Sequence, residues 1–282
     1  TLGESMRILG DPATARSLAD EAVALCREQD DRWGLAYALT NLGIAIRDQE
    51  DFALARSTID DGVALWQELG DLWGLGLATH RLGEVALRQG DYEVARRHFI
   101  DCLVIVRKLG DQEQVAWKLS NLALVALNLG NWAEAKACTE ECFSMFRELG
   151  SKYGQATSYS HFGFLTLIDG NNQQAQSFFE RALELARTSG PVWLGANALM
   201  GLAGAAAGTQ AQRAARLLGA AEARLKAGAS YWDAVEMMCV GRVTATATAQ
   251  LGETAFAAAY EEGQAMIFEQ AADYALETEP SA

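Results

Sequence analysis

Two pairs of side chains place metal-binding chemistry at helical spacing. His98 and Cys102 lie four residues apart, and Cys138 and Cys142 repeat that spacing forty residues on. On a helix each pair shares a face, and one histidine with three cysteines is a set that holds zinc. The surrounding repeat offers a plainer account. Cys102 and Cys142 stand where Ala22, Gly62 and Ala182 stand one or more periods away, a place for a small buried residue, and a free cysteine behaves as a small hydrophobe. His98 and Cys138 align with Thr58, so no metal site is expected. Other reaction chemistry is missing from the sequence. There is no G-x-x-x-x-G-K-[ST] loop, and the glycines of GLAGAAAG (201–208) lack the lysine and preceding strand of a phosphate cradle. The three histidines fall in separate units with no His-Glu-x-x-His and no triad-like partners. Adjacent carboxylates such as Asp60-Asp61, Glu140-Glu141 and Glu261-Glu262 point about 100° apart on a helix and read as solvated surface. Neither an enzyme nor a cofactor is expected.

The more informative chemistry lies where near-identical segments differ. DRWGLAYALTNLG (31–43) returns as DLWGLGLATHRLG (71–83), with Tyr37 replaced by Leu77, Thr40 by His80 and Asn41 by Arg81. Trp117 occupies the same place as Tyr37, Leu77, Thr157 and Asn197. Varied positions in a constant frame are where a repeat protein carries its specificity. Trp33, Trp73 and Trp193, with Tyr153 in the equivalent place, instead recur and read as packing between repeats.

These positions need a frame, and the frame is periodic. Units begin at Asp31, Asp71, Asp111, Ser151 and Pro191, the first four of forty residues and the fifth about two shorter. Each closes on a glycine (Gly70, Gly110, Gly150, Gly190, Gly228), and internal breaks end at Asp91, Asn131 and Asn171, with Glu50-Asp51 in the first unit. Glycine ends a helix in the left-handed conformation, and Asp, Asn or Ser caps the next, so each unit is two helices. Apolar residues at three- and four-residue steps, such as Leu75, Leu82, Val85 and Ala86, then Val94, Ala95, Phe99, Cys102 and Val106, support helices and no strands. Leu2-Gly3, Asp11, Ala15 and Ala22 precede Leu42-Gly43, Asp51, Ala55 and Gly62 by one period, so the chain opens inside a hairpin and reads as a fragment of a longer protein. The expected organisation is a partial repeat over 1–30, five hairpins over 31–70, 71–110, 111–150, 151–190 and 191–228, and capping helices over 229–282.

Composition bounds the environment. Of 282 residues half are apolar and three are proline, enough to bury a substantial core. No apolar run reaches the ~18 residues of a membrane span and no signal peptide opens the chain. Five cysteines without a framework spacing suit a reducing compartment, so a cytoplasmic protein is expected. The net charge is −14, and after Arg242 seven carboxylates follow with no Lys or Arg. Phosphate backbones and anionic lipid are repelled, which excludes direct nucleic-acid or membrane binding.

Leu42-Gly43, Ala55, Ile59 and Gly62, repeated as Leu82-Gly83, Ala95, Phe99 and Cys102 and as Phe162-Gly163, Ala175, Phe179 and Ala182, resemble the tetratricopeptide repeat. The third unit departs with Ala123 and Thr139, and the fifth carries Ala203, with Ala214 and Leu218 in register after a one-residue loop deletion. The resemblance implies an all-α, right-handed superhelical solenoid of antiparallel hairpins with C-terminal capping helices, in which a bulky second-helix residue plugs the next repeat. AARLLGAAEA (214–223), LGETAF (251–256) and YEEGQAM (260–266) further resemble the C-terminal end of bacterial STAND-type signalling ATPases, which often carry LuxR-type or winged-helix DNA-binding domains. By that resemblance the chain is a non-enzymatic sensor module below an upstream nucleotide-binding domain, the alternative being a free-standing protein-binding scaffold. First helices line the concave face of such solenoids. The resemblance therefore selects Tyr37, Thr40, Asn41, Ile44 and Arg47, then Leu77, His80, Arg81, Glu84 and Arg88, then Trp117, Ser120, Asn121, Leu124 and Asn128, then Ser160, His161 and Phe164. A peptide, protein or small-molecule inducer is the expected occupant. Arg81 suits a carboxylate or phosphate, Asn121 an amide and Trp117 an apolar contact, while His80 near its ordinary pKa of ~6.5 gives pH sensitivity.

Overall fold

The computed structural model describes residues 12–188, 190–227 and 232–277, so the repeat marks at Leu2-Gly3, Asp11 and Gly228 and the last residues, 278–282, lie outside the described residues. Every regular element among the described residues is an α-helix. In chain order these are α1 (Pro12–Glu28), α2 (Arg32–Arg47), α3 (Phe52–Leu69), α4 (Leu72–Gln89), α5 (Tyr92–Leu109), α6 (Gln112–Leu129) and α7 (Trp132–Glu148). They continue with α8 (Lys152–Ile168), α9 (Asn172–Thr188), α10 (Val192–Ala206), α11 (Ala211–Ala227), α12 (Ala234–Leu251), α13 (Glu253–Gln264) and α14 (Phe268–Leu276). The architecture is a tetratricopeptide-like, all-α array of consecutively packed helices.

Helix boundaries follow from local chemistry. The Oδ1 atoms of Asp31, Asp51, Asp71 and Asp111 each accept from the backbone N–H three residues on, and Ser151 Oγ accepts from Gly154, so one otherwise orphaned donor is satisfied at each start. Asp91 and Asn131 stand at the same place without that bond. At the other end Gly70 turns left-handed, with φ of 66°, which brings the N–H of Asp71 onto the Trp66 carbonyl. Asp30 and Glu50 adopt the same turn without glycine's freedom.

The chain divides into two compact units, Thr1–Val125 and Ala126–Ala282, the boundary falling within α6. In the first unit the two helices of a hairpin close over a glycine. A Cβ at Gly83 would lie 2.5 Å from the Phe99 ring, and Gly43 lies equally tight against Ile59. Phe99 and Ile59 are fully buried there. Neighbouring hairpins meet through a second pair of this kind. Trp66 on α3, fully buried, lies on Gly74 of α4 and donates its indole N–H to Thr40 Oγ1 at 3.2 Å.

The second unit uses both devices. Phe179 stands 2.6 Å from where a Gly163 Cβ would be, and its other side presses on Gly201, so the bulky residue fills its own hairpin as well as plugging the next. Phe146 lies on Gly154 as Trp66 lies on Gly74. One period later the sizes exchange, with Ala186 and Leu194 sharing a small cluster with Ala156. Total volume at the junction is kept while the large residue changes sides, the kind of exchange cores tolerate best.

Three helices follow the last hairpin. Gly219 of α11 lies against the Tyr260 carbonyl of α13, and Gly263 of α13 against the Arg216 carbonyl of α11. The two helices thus touch backbone to backbone, and the motifs LGAAEA and YEEGQAM are two sides of one contact. α14 docks through Phe268, whose ring sits 3.7 Å from the Arg224 guanidinium, while Arg187 pairs with Glu269 and Asp273. An array that ended at α11 would leave its apolar side wet; these helices cover it.

Glycines that accept a bulky neighbour should be intolerant and those facing open space should not. Gly83→Leu is expected to cost about 1–3 kcal/mol or more by overpacking against Phe99. Gly241→Ala, in α12 with nothing within 4 Å of the added Cβ, should stabilise by about 0.5–1 kcal/mol. Urea denaturation of both variants checks the pair of signs.

Candidate functional site

In the first unit the varied positions of α2, α4 and α6 assemble a charged cluster. Glu84 on α4 is its centre. Arg81 Nη1 pairs with Glu84 Oε2 at 2.8 Å, Arg47 Nη1 of α2 stands 3.7 Å from the same oxygen, and His80 Nε2 lies 3.7 Å from Glu84 Oε1. Arg47 also bonds Asp48 at 2.7 and 2.9 Å. α6 adds Lys118, only 4% exposed, whose ammonium makes no hydrogen bond or ion pair among the described residues. Arg47, Arg81 and Lys118 thus gather around Glu84, with Asp48 and Asp111 beside them, in a chain of net charge −14.

The titration behaviour follows from that geometry. Burial alone would raise Glu84, but Arg81, His80 and Arg47 outweigh it and hold the carboxylate well below its usual range. Burial lowers Lys118, with Cys102 and Glu84 acting the other way and Arg81 adding to the lowering. His80 is pushed down to about 3, first by burial and then by Lys118, Arg81 and Arg47 against the opposing pull of Glu84. It is neutral at physiological pH, which corrects the expectation of a switch near its ordinary pKa. Its Nδ1 has no hydrogen-bond partner and its ring packs 5.6 Å from Phe99.

The remaining first-helix positions divide. Tyr37, Leu77, Trp117, Asn121 and Leu124 are partly exposed, and Arg88 reaches Glu50 at 3.7 Å. Asn41 is partly exposed with its amide tied to the Tyr37 carbonyl at 3.0 Å. Thr40 and Ile44 are buried, Thr40 bonding Ala36 and Trp66, and Ser120 is 3% exposed; these belong to the packing frame. In the second unit Ser160, His161 and Phe164 are buried as well, Ser160 donating to Ala156 at 3.3 Å. Asn128 serves α12 instead of a groove. Its Nδ2 donates to Asp233 at 3.1 Å and its Oδ1 accepts from the Val235 N–H at 3.0 Å, next to a capping box in which Asp233 and Glu236 bond each other's backbone. Glu236 is 5% exposed, and burial with the Asp233 charge raises it well above the carboxylate range.

Lys118 was not among the candidates from sequence, although a signal existed. Its equivalents are Ala38, Ala78, Ser158 and Ala198, all buried. A lysine at a position otherwise held by small residues breaks the frame, at a place outside the groove face that the family resemblance selects. Cys102 and Cys142 are buried against backbone, with Cys102 Sγ 3.2 Å from the Gly76 carbonyl and Cys142 Sγ 3.4 Å from that of Thr139. Trp33 and Trp73 stack at 6.2 Å as packing residues do, yet each is about half exposed.

The tetratricopeptide repeat family model matches residues 74–148 and 114–188, and the model of anaphase-promoting complex subunit 5 matches residues 5–50 and 35–86. No curated protein matches the chain significantly in sequence. Among solved structures it is similar to a STAND protein with a tetratricopeptide repeat sensor from Pyrococcus horikoshii, at TM-score 0.65 and 17% identity, covering 92% of this chain and 42% of that one. A Rap protein complexed with competence and sporulation factor gives TM-score 0.59 and 14% identity over 96% of this chain and 70% of that one. BtubC from P. vanneervenii gives 0.55 and 22% over 86% and 91%. At these identities the likeness is one of fold. The chain spans less than half of the STAND protein.

The buried histidines make acid the vulnerable side. His161, buried and with Nδ1 unpartnered, is pushed down by burial to about 4. A base whose folded pKa is lowered contributes stability that is complete above the unfolded value of ~6.5 and is lost as pH falls from there toward the folded one. His161→Asn should therefore lose on the order of 2–3 kcal/mol less than the parent between about pH 6.5 and 4. Denaturation midpoints across that range check it; parallel curves would refute the assignment.

Proposed function

With residues 74–188 matching the tetratricopeptide repeat family and the described residues folded as its helix hairpins, we propose that the chain is a non-enzymatic binding module that takes a peptide or protein segment bearing a carboxylate or phosphate on the first helices of its N-terminal unit. The observation that carries this reading is Lys118, a lysine only 4% exposed that makes no hydrogen bond or ion pair of its own beside Arg81 and Glu84. Burying a lysine costs stability, and the frame elsewhere takes alanine or serine at this position. An incoming anion would complete it, with Arg81 offering its fork, Asn121 an amide and Trp117 an apolar surface beside it.

In its finer form the module is the sensor part of a STAND-type regulator, holding an upstream nucleotide-binding domain in one state until the ligand favours another. The fold likeness to the sensor-bearing STAND protein supports this. The alternative reading is a free-standing protein-binding scaffold of the same fold. A P-loop encoded upstream of Thr1 distinguishes the two.

Lys118→Met tests the site, because it keeps the buried chain and deletes the charge. It should raise the melting temperature by about 2–4 °C per kcal/mol of relieved burial and weaken binding of a glutamate-rich octapeptide, followed by fluorescence anisotropy, by about tenfold at low salt. Arg81→Gln should weaken it likewise. A lysine-rich octapeptide should not bind. Equal affinity for the parent and both variants would remove the proposal.

A further inference from the structure

The second unit holds a cavity that the charged cluster does not involve. α7, α8 and α12 surround about 230 Å³ lined by Trp132, Phe164, Leu167, Met238, Cys239 and Arg242. Phe164, Leu167 and Cys239 form a buried floor, at 5% exposure or less, while Trp132 and Met238 are 41% and 55% exposed and form an apolar rim. Gly204 lets the floor close beneath it: a Cβ there would lie 2.7 Å from Cys239 Sγ and 3.1 Å from Leu167 Cδ1. α12 is held in place by the Asn128–Asp233–Val235 bonds, so the wall it supplies is anchored at its start.

One group in this apolar lining is charged. Arg242 reaches the Leu167 carbonyl at 3.3 Å and the Gly204 carbonyl at 3.5 Å, long bonds that fix the guanidinium at the cavity wall. No carboxylate pairs with it among the described residues, although it is the last basic residue of a chain in which seven carboxylates follow. Arg187 and Arg216 of the same unit, by contrast, pair with carboxylates of α14 and α13.

We propose that this cavity binds a small carboxylic acid with an apolar body, the body lying among Phe164, Leu167 and Met238 and the carboxylate on Arg242. The free donors of a planar guanidinium match a carboxylate bidentately, and the apolar walls exclude competing water. The volume lies below the ~300 Å³ at which drug-sized sites begin, so the acid is small. This site is independent of the anionic segment proposed for the first unit.

Octanoate is the probe. Calorimetric titration of the intact chain should show saturable one-to-one binding of octanoate, with octanol weaker by about tenfold because it lacks the charge. Arg242→Gln should cost octanoate about tenfold and leave octanol unchanged. Because Arg242 also bonds two carbonyls, a second variant avoids the packing: Met238→Glu, at an exposed rim position, supplies a competing carboxylate and should likewise abolish the preference for octanoate. Equal binding of octanoate and octanol, undiminished octanoate affinity in Met238→Glu, or no saturable binding would overturn the proposal. Tighter binding of a tripeptide ending in a free leucine carboxylate would overturn the small-acid assignment in favour of a chain terminus.

Discussion

Close approach of paired helices, made possible where a glycine meets a large side chain, is the constraint on which the rest of this structure depends. Gly83 under Phe99 and Gly163 under Phe179 set how near the two helices of a hairpin lie, and Gly74 under Trp66 and Gly154 under Phe146 set how near one hairpin lies to the next. Because interiors are packed to crystal-like density, the size of one partner dictates that of the other. The exchange at Ala186 and Leu194 shows that the pair, and not either residue, is the unit being preserved.

A frame fixed this tightly leaves few places for chemistry. Alanine or serine, buried in each case, fills the position of Lys118 in the other hairpins. The long lysine enters only by burying its charge beside Arg81 and Glu84, and the same crowding keeps His80 neutral. Burial is the largest influence on the titration of these groups because the helices exclude water, and at Glu84 Arg81, His80 and Arg47 together outweigh it because all three face one carboxylate. Packing and electrostatics here are one problem solved at one set of Cα positions.

The C-terminal helices obey the same rule with different residues. Gly219 and Gly263 let α11 and α13 meet at their backbones, and Gly204 opens the space that Cys239 and Arg242 enter. In each case an absent side chain on one helix is read by a group on another. Asn128 illustrates the consequence for function: its amide satisfies the start of α12, and so it is withdrawn from the helix face on which its spacing places it.

The sequence by itself determined the helices, their ends and their pairing. Those features depend on residues near one another in the chain: Asp71 capping Gly74, Gly70 turning left-handed, and a forty-residue step that returns Gly43 as Gly83. It also marked Arg81 as a varied first-helix residue, and the family resemblance selected Arg47 and Glu84 on the same face; the structure brings the two arginines together on the Glu84 carboxylate. Tertiary structure decided which polar residues remain accessible. Thr40, Ser160 and His161 share spacing with exposed positions and are buried, because the depth of a side chain is set by the neighbouring hairpin and not by its own helix. It likewise decided the role of Lys118, whose environment comes from α4 and α5, and that of Arg242, whose cavity is walled by α7 and α8, residues far away in sequence. Period and capping are local and can be read along the chain; burial and the company a charge keeps are set by segments that meet only when the chain folds.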